Sequence, residues 1–185
     1  MNPKSWRPRA VVACLAVASL LAACGKQPIE EAVQKNDRNA VTDALSKGAD
    51  VNAKLAGGDT PLLVAAKAGQ SSSAQGLIEG GADIRVKDAD GFTVLHHAAA
   101  NGMTGICGLL LDRGLTIDEK GPGGVTPLML AVSKNRQETA KYLIRHGASL
   151  EAKDDAGTNA VGFAEKAGDT RFANELKFAA QTRPK

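Results

Sequence analysis

Three ten-residue stretches of this chain recur at one spacing, and that spacing constrains the fold more than any other feature. Each stretch begins with a threonine, and successive threonines, Thr60, Thr93 and Thr126, are 33 residues apart. A fixed period of this length is typical of a repeat array, in which one small unit stacks on the next. The sequence therefore predicts a stack of similar units.

Two series of glycines follow the same period. A glycine of the first series closes each leucine-containing phrase, where a left-handed residue would end a helix. A glycine of the second series stands two residues before each threonine, where a turn is expected. The first series is Gly48, Gly81, Gly114 and Gly147, and the second is Gly58, Gly91, Gly124 and Gly157.

Each unit reads as two short helices. Thr60 can cap the orphan amides of a first helix, and Pro61 suits its first position, where no backbone donor is lost. A second, antiparallel helix is expected after Gly69, and we expect the serine run at residues 71–73 to cap it. Only 3% of the residues are aromatic, so small apolar side chains must fill the space between helices. Two short helices cannot bury both of their faces alone, and neighbouring units must therefore stack.

The full motif, Gly-x-Thr-Pro-Leu-x-x-Ala-Ala-x-x-Gly followed by Leu-x-x-Gly-Ala-Asp, resembles the ankyrin repeat. The resemblance implies an all-α ankyrin repeat solenoid of about five 33-residue helix-turn-helix units joined by β-hairpin-like finger loops. It covers residues 27–181, with repeats at about 27–57, 58–90, 91–123, 124–156 and 157–181. The first and last repeats are polar or irregular, as terminal caps are, and residues 182–185 form a short tail.

The N-terminus predicts export and lipid attachment. Lys4, Arg7 and Arg9 precede an apolar run that ends at Cys24, and this order is typical of a signal segment. The residues around Cys24 resemble the bacterial lipobox, which implies a lipoprotein signal peptide at 1–23, lipid attachment at Cys24 and a short tether at 24–26. By resemblance to enterobacterial lipoproteins, Gly25 favours the outer membrane. We therefore expect a lipid-anchored protein of the bacterial cell envelope that faces the periplasm.

Charge and motif content argue against several functions. Without Lys4, Arg7 and Arg9, the 20 remaining basic residues balance the 20 acidic ones, so nucleic-acid binding is not expected. No nucleophile with a base and no phosphate-binding loop is visible. The sequence therefore predicts no enzyme, no cofactor, no metal and no small-molecule substrate.

The histidines and the cysteine of the third repeat have structural explanations. His96 and His97 are adjacent on a helix and point about 100° apart, a poor arrangement for a metal pair. The family resemblance implies that His96 hydrogen-bonds Thr93. Cys107 has the spacing of a buried helical residue and is expected in the core.

Some positions of the repeat are not needed to build the core, and the residues at these positions predict a surface that binds another protein. One position of each first helix, which faces the concave groove in ankyrin proteins, holds mainly apolar residues, and one position before each threonine lies in a finger. Phe92 is the most suggestive of these because exposed aromatic residues often anchor partners. The expected partner-binding residues are Asp59, Val64, Phe92, His97, Val125, Leu130 and Phe163.

These features favour a non-enzymatic interaction module that acts as an adaptor, inhibitor or accessory factor. The alternatives are an immunity protein that neutralises a toxic effector and an accessory factor that supports an exported catalase, both of which occur among exported bacterial ankyrin proteins. A metal-dependent or hydrolytic enzyme is the competing class, and packing of the concave residues against their own chain is the competing explanation of those positions.

Overall fold

A computed structural model describes residues 28–182 of the chain, and the predicted signal segment and Cys24 lie outside these residues. The described part forms helices joined by short turns. The helices are α1 (Pro28–Gln34), α2 (Arg38–Ser46), α3 (Pro61–Lys67), α4 (Ser71–Glu79), α5 (Val94–Ala100), α6 (Thr104–Asp112), a 3-10 turn (Pro122–Gly124), α7 (Pro127–Ser133), α8 (Gln137–Arg145), α9 (Ala160–Lys166) and α10 (Thr170–Thr182).

The α-helices alternate in length and form five pairs. The first, or inner, helix of each pair has seven residues, and the second, or outer, helix has nine, except α10, which has 13. The prediction of an all-α array of about five helix-turn-helix units is therefore confirmed. The last outer helix includes Thr182, which we had expected in the tail.

The helix boundaries follow the repeated motif. Thr60 Oγ1 accepts a hydrogen bond from the Leu63 amide at 3.4 Å, and Thr126 Oγ1 accepts one from the Met129 amide at the same distance. Pro61 and Pro127 occupy the first helical positions. The first-series glycines follow the outer helices with positive φ angles of 82° to 103°, a conformation that costs glycine little.

Each finger is a hairpin-like turn closed by the same backbone hydrogen bond. The amide of one residue donates to the carbonyl oxygen four positions later, at 2.8 to 3.0 Å. The four pairs are Leu55 with Asp59, Asp88 with Phe92, Gly121 with Val125, and Asp154 with Thr158. Only one isolated antiparallel bridge, between Lys87 and Thr93, occurs within residues 28–182, so these fingers have the shape of hairpins without extended strands.

The core runs the length of the array between the inner and outer helices. Inner helices contribute small residues such as Ala65 and Ala66, and outer helices contribute Leu77, Leu110 and Leu143, all fully buried. Cys107 is also fully buried, as predicted, and burial raises the pKa of its thiol to about 12. Across the described helices, no segment has the length and apolar character that crossing a membrane would require.

Neighbouring repeats are also joined by polar contacts between turns. Asn36 Oδ1 accepts hydrogen bonds from the amides of Ser72 and Ser73, at 3.1 and 3.2 Å. The expectation that the serine run caps α4 is therefore wrong, because the cap comes from the side chain of Asn36 in the preceding repeat. In the next interface, Asn101 Nδ2 donates to the carbonyl oxygen of Ala66 at 2.8 Å.

The packing of successive repeats determines which face is concave. From the second repeat onward, the inner helices contact one another more extensively than the outer helices do. The stack therefore bends toward the inner helices and the fingers. The first interface differs, because Gly76 lets α2 and α4 approach closely: a Cβ at Gly76 would lie 3.3 Å from the Arg38 carbonyl oxygen.

Candidate protein-binding surface

The concave face carries all seven residues expected to contact a partner. All seven are half-buried, and none is fully enclosed by its own chain. They divide into a polar cluster in the second and third repeats and an apolar strip in the second, fourth and fifth repeats. The polar cluster contains Asp59, Phe92 and His97, and the apolar strip contains Val64, Val125, Leu130 and Phe163.

The polar cluster is organised by Asp88, whose side chain is 1% exposed. Its Oδ2 accepts hydrogen bonds from His97 Nε2 at 2.8 Å and from Lys67 Nζ at 3.1 Å. Lys67 also pairs with Asp59 Oδ2 at 2.7 Å. The second oxygen, Oδ1, accepts the Phe92 amide at 2.9 Å. These contacts connect the fingers and inner helices of two repeats into one rigid network.

The electrostatics of Asp88 follow from this geometry. Burial alone would disfavour the ionised carboxylate. Hydrogen bonds from His97, Lys67 and the Phe92 amide outweigh that effect, and they lower the pKa of Asp88 to about 2. The buried carboxylate is therefore ionised at neutral pH and holds the exposed edges of Lys67 and His97 in fixed positions on the concave face.

His96 joins the third repeat to the fourth. Its Nδ1 lies 2.8 Å from Thr93 Oγ1, which confirms the predicted hydrogen bond, and its Nε2 lies 3.1 Å from the Val125 carbonyl oxygen. Because a carbonyl oxygen only accepts, Nε2 carries the proton and Nδ1 accepts the threonine hydroxyl proton. Burial lowers the pKa of His96. This histidine is therefore a neutral structural residue.

Phe92 is less exposed than the sequence led us to expect. Its ring packs edge-on against His96 and His97, with centroid distances of 5.6 and 5.9 Å. A Cβ added at Gly121 of the next finger would lie 3.0 Å from the ring. Phe92 thus rests against the neighbouring finger and leaves one edge on the concave face, because glycine at position 121 makes room for it.

The apolar strip extends from Val64 in the second repeat to Phe163 in the fifth. Val64 and Phe163 are half-buried and pack against the core, so the competing explanation holds for part of each side chain. Leu130 is also half-buried. Lys166 Nζ lies 5.7 Å from the centroid of the Phe163 ring, close enough for a cation–π contact.

This architecture agrees with the comparison to known families. A family model for ankyrin repeats, in three copies, matches the chain at residues 29–121 and 64–154, which together cover more than half of it. The chain belongs to the ankyrin repeat family. Ankyrin repeats are a protein–protein interaction module and typically have no enzymatic role. No curated protein matches the chain.

The ankyrin array also contains two functional residues that sequence reasoning missed. Lys67 lies on α3 and Asp88 lies in the finger that follows α4, 21 positions later, yet they meet on the concave face. Asp88 also shapes its own turn, because its Oδ1 accepts a hydrogen bond from the Asp90 amide at 3.1 Å. The sequence did contain one indication of this role: Asp88 is acidic, whereas the equivalent position of the preceding finger holds Leu55.

The same array shows no grouping suited to a metal ion in its described part. Across residues 28–182, His, Cys, Asp and Glu side chains do not form a group of three or more that could hold one. His97 pairs with Asp88 alone, and His146 is distant in sequence and stacks on Tyr142 with a centroid distance of 4.0 Å. What these side chains provide is a shaped surface with fixed donors and apolar patches.

Proposed function

We propose that this ankyrin protein binds another protein in the bacterial cell envelope through its concave face, as an adaptor, inhibitor or accessory factor. One observation carries the proposal: inner helices and fingers present a continuous half-buried surface that is partly apolar and partly held by the Asp88 network. Half-buried apolar side chains next to fixed charges are the composition of many protein interfaces.

The proposed location depends on the N-terminal sequence. The basic start, the apolar run and Cys24 support cleavage before the cysteine and lipid attachment to its thiol. Acyl chains contribute about 0.8 kcal/mol per buried methylene, and several chains would hold the protein stably on a membrane. The ankyrin array would then face the periplasm from the outer membrane, close to the bilayer because the tether is short.

The binding proposal is tested by cross-linking in intact cells. A photoreactive amino acid is placed at Val64 or Leu130 on the concave face and, separately, at Phe178, which is 68% exposed on α10. We expect one specific cross-linked protein from the concave positions and none from Phe178. Replacing Leu130 and Phe163 by aspartate should abolish it, whereas Phe178→Asp should not.

One result would contradict the proposal: the cross-linked partner persists in the Leu130→Asp, Phe163→Asp double variant, and circular dichroism shows that this variant has the same helical content as the original protein. Such a result would move the interface elsewhere on the array, because the concave apolar strip would then be dispensable.

The lipid anchor has an independent test. Cells are labelled with an alkyne analogue of palmitate, and the protein is followed by size and by fractionation. We expect label on the normal protein, and we expect a Cys24→Ala variant to be unlabelled and untrimmed. A Cys24→Ala protein that is still trimmed and still bound to the membrane would contradict the assignment.

A further inference from the structure

Two aspartates, Asp88 and Asp154, hold the same place in two fingers, 66 residues apart. In each, Oδ1 accepts a hydrogen bond from the amide four residues later. The distance is 2.9 Å from Asp88 to the Phe92 amide and 2.6 Å from Asp154 to the Thr158 amide. The two carboxylates are therefore held by their turns in the same way.

The surroundings of the other oxygen differ. Asp88 Oδ2 accepts hydrogen bonds from Lys67 and His97. The position equivalent to Lys67, 66 residues later, holds Ser133, and the position equivalent to His97 holds Phe163. The hydroxyl of Ser133 donates within its own helix, to the Leu130 carbonyl oxygen at 3.0 Å, and phenylalanine has no donor. The two repeats that meet at the finger of Asp154 thus lack both side chains that neutralise Asp88.

No other described group replaces them. Within residues 28–182, Asp154 Oδ2 has no hydrogen-bond donor and no ion pair. Lys166, on the inner helix that follows this finger, donates instead to Thr158 Oγ1 at 2.9 Å. Asp154 is half-buried, so its carboxylate is partly shielded from water while one oxygen remains available on the concave face.

The side chains around this position suit an aliphatic stem that ends in a cation. Leu130 and Phe163 occupy the concave positions of the two inner helices on either side of the finger, and both are half-buried. The ring of Phe163 already lies near one ammonium group, that of Lys166. Lysine and arginine place apolar methylene groups against such surfaces while the charged group reaches a carboxylate.

We infer that the partner protein inserts a lysine or arginine side chain between Leu130 and Phe163 and donates to Asp154 Oδ2. The partner thereby supplies the donor that Lys67 and His97 supply to Asp88 within the chain. This inference rests on the proposed function, because it names the chemistry of the partner at the same concave face.

The test uses a peptide library displayed on phage and selected on the detergent-solubilised full-length protein. We expect the enriched peptides to share a lysine or arginine beside an apolar residue. Affinities of synthetic peptides are then measured by fluorescence anisotropy. Replacing the shared basic residue by norleucine should weaken binding about tenfold or more, since a charge-assisted hydrogen bond is lost.

Three variants of the protein make the test specific. Asp154→Asn keeps the Oδ1 acceptor for the Thr158 amide but loses the charge, and it should weaken binding by a similar factor. Asp90→Asn removes one charge from an exposed finger position and should leave the affinity unchanged. Ser133→Lys places a lysine at the position equivalent to Lys67, and it should block peptide binding by pairing with Asp154.

The results separate this inference from the proposed function. Peptides that lose affinity with Leu130→Asp but contain no shared basic residue would overturn the role of Asp154 and leave the concave interface standing. A selection that yields no peptide dependent on Asp154 overturns the inference as well. If the original protein gave no cross-linked partner from the concave positions in cells, the proposed function itself would be overturned. Unfolding curves for each variant confirm that the fold is retained.

Discussion

Lys67 lies on the inner helix α3 and Asp88 lies in the finger 21 positions later, yet Lys67 Nζ lies 3.1 Å from Asp88 Oδ2 on the concave face. The carboxylate is 1% exposed and the lysine side chain 35% exposed, so the pair is shielded on one side and open on the other. Because Asp88 Oδ2 also accepts a hydrogen bond from His97 of the next repeat, the contact couples the stability of the interface between the two repeats to the shape of the proposed binding surface.

The first prediction concerns Asp88→Asn. The pKa of Asp88 is about 2 in the folded protein, compared with 3.8 as its ordinary value, and this difference corresponds to roughly 2 kcal/mol of folding free energy at neutral pH. We expect the variant to lose about that much, measured by urea unfolding at pH 7. Asp90→Asn is the matched control, since Asp90 is exposed, and its loss should be negligible.

The pH dependence gives the same prediction a second measurement. Because the folded pKa lies below the unfolded value, the contribution of Asp88 is complete above about pH 4 and is lost as the pH falls toward 2. The difference in unfolding free energy between the original protein and Asp88→Asn should shrink over that range. A difference that stays constant from pH 5 to pH 2 would show that the carboxylate charge is not what stabilises the network.

The second prediction concerns His96. Burial lowers its pKa below 6.5, so the unfolded chain binds a proton before the folded protein does. The contribution of His96 is therefore complete above about pH 6.5 and declines as the pH falls below that value. The original protein should lose more unfolding free energy between pH 7.5 and 5.5 than His96→Met does. Equal losses in both proteins would contradict this.

His96→Met is a suitable comparison because the array itself uses methionine here. Met129 occupies the equivalent position one repeat later and is likewise buried beside a capping threonine, and Leu63 occupies it one repeat earlier. The variant is therefore expected to fold, and any stability that it loses at pH 7.5 measures the hydrogen bonds of His96 with Thr93 Oγ1 and with the Val125 carbonyl oxygen.

The fold could be predicted from sequence because the determinants of each repeat are local and recur. Capping threonines, first-position prolines and left-handed glycines act within a few residues, and a fixed period aligns them. The polar network could not be predicted in the same way. Lys67, Asp88 and His97 stand at three different positions of the repeat, and they meet only after two repeats have stacked.

The exposure of single side chains also could not be predicted from the sequence. Phe92 has the position of a finger-tip anchor, but glycine at position 121 of the next finger gives its ring a surface to rest on. Such contacts depend on the small rotation between neighbouring repeats, which no motif records. The concave position of Leu130 and Phe163, by contrast, follows from the period together with the resemblance to ankyrin repeats, and whether a partner uses it stays a prediction.

The third prediction compares two glycines that should respond to alanine with opposite signs. Gly124 has φ of 71°, and a Cβ there would lie 3.0 Å from the Asp155 amide nitrogen and 2.5 Å from its Oδ1. Gly124→Ala should therefore destabilise the protein by about 2 kcal/mol or more. A Cβ at Gly105, near the start of α6, meets nothing within 4 Å, and Gly105→Ala should stabilise it by up to about 1 kcal/mol.

Thermal unfolding of the two variants checks this comparison. Both substitutions add one methyl group to the same pair of adjacent repeats, so each is the control for the other. Destabilisation by Gly105→Ala would mean that another part of the protein covers the outer surface of α6. A neutral Gly124→Ala would mean that the third and fourth fingers can move apart at no cost in stability.

The last prediction separates the two roles of Asn36. Its side chain caps α4 through the amides of Ser72 and Ser73, and its backbone has φ of 49°. Gly69, Gly102 and Gly168 hold the equivalent position in other repeats with φ of 71° to 77°. Asn36→Gly keeps the backbone and removes only the cap, so it should cost about 1 kcal/mol. Asn36→Ala removes the cap and also places alanine in the left-handed region, which should add about 1 to 2 kcal/mol to the loss of stability.

Urea unfolding of both variants measures the two contributions, and equal losses would show that the backbone conformation contributes nothing at this turn. A Gly variant as stable as the original protein would show instead that water satisfies the amides of α4 when the side chain of Asn36 is absent.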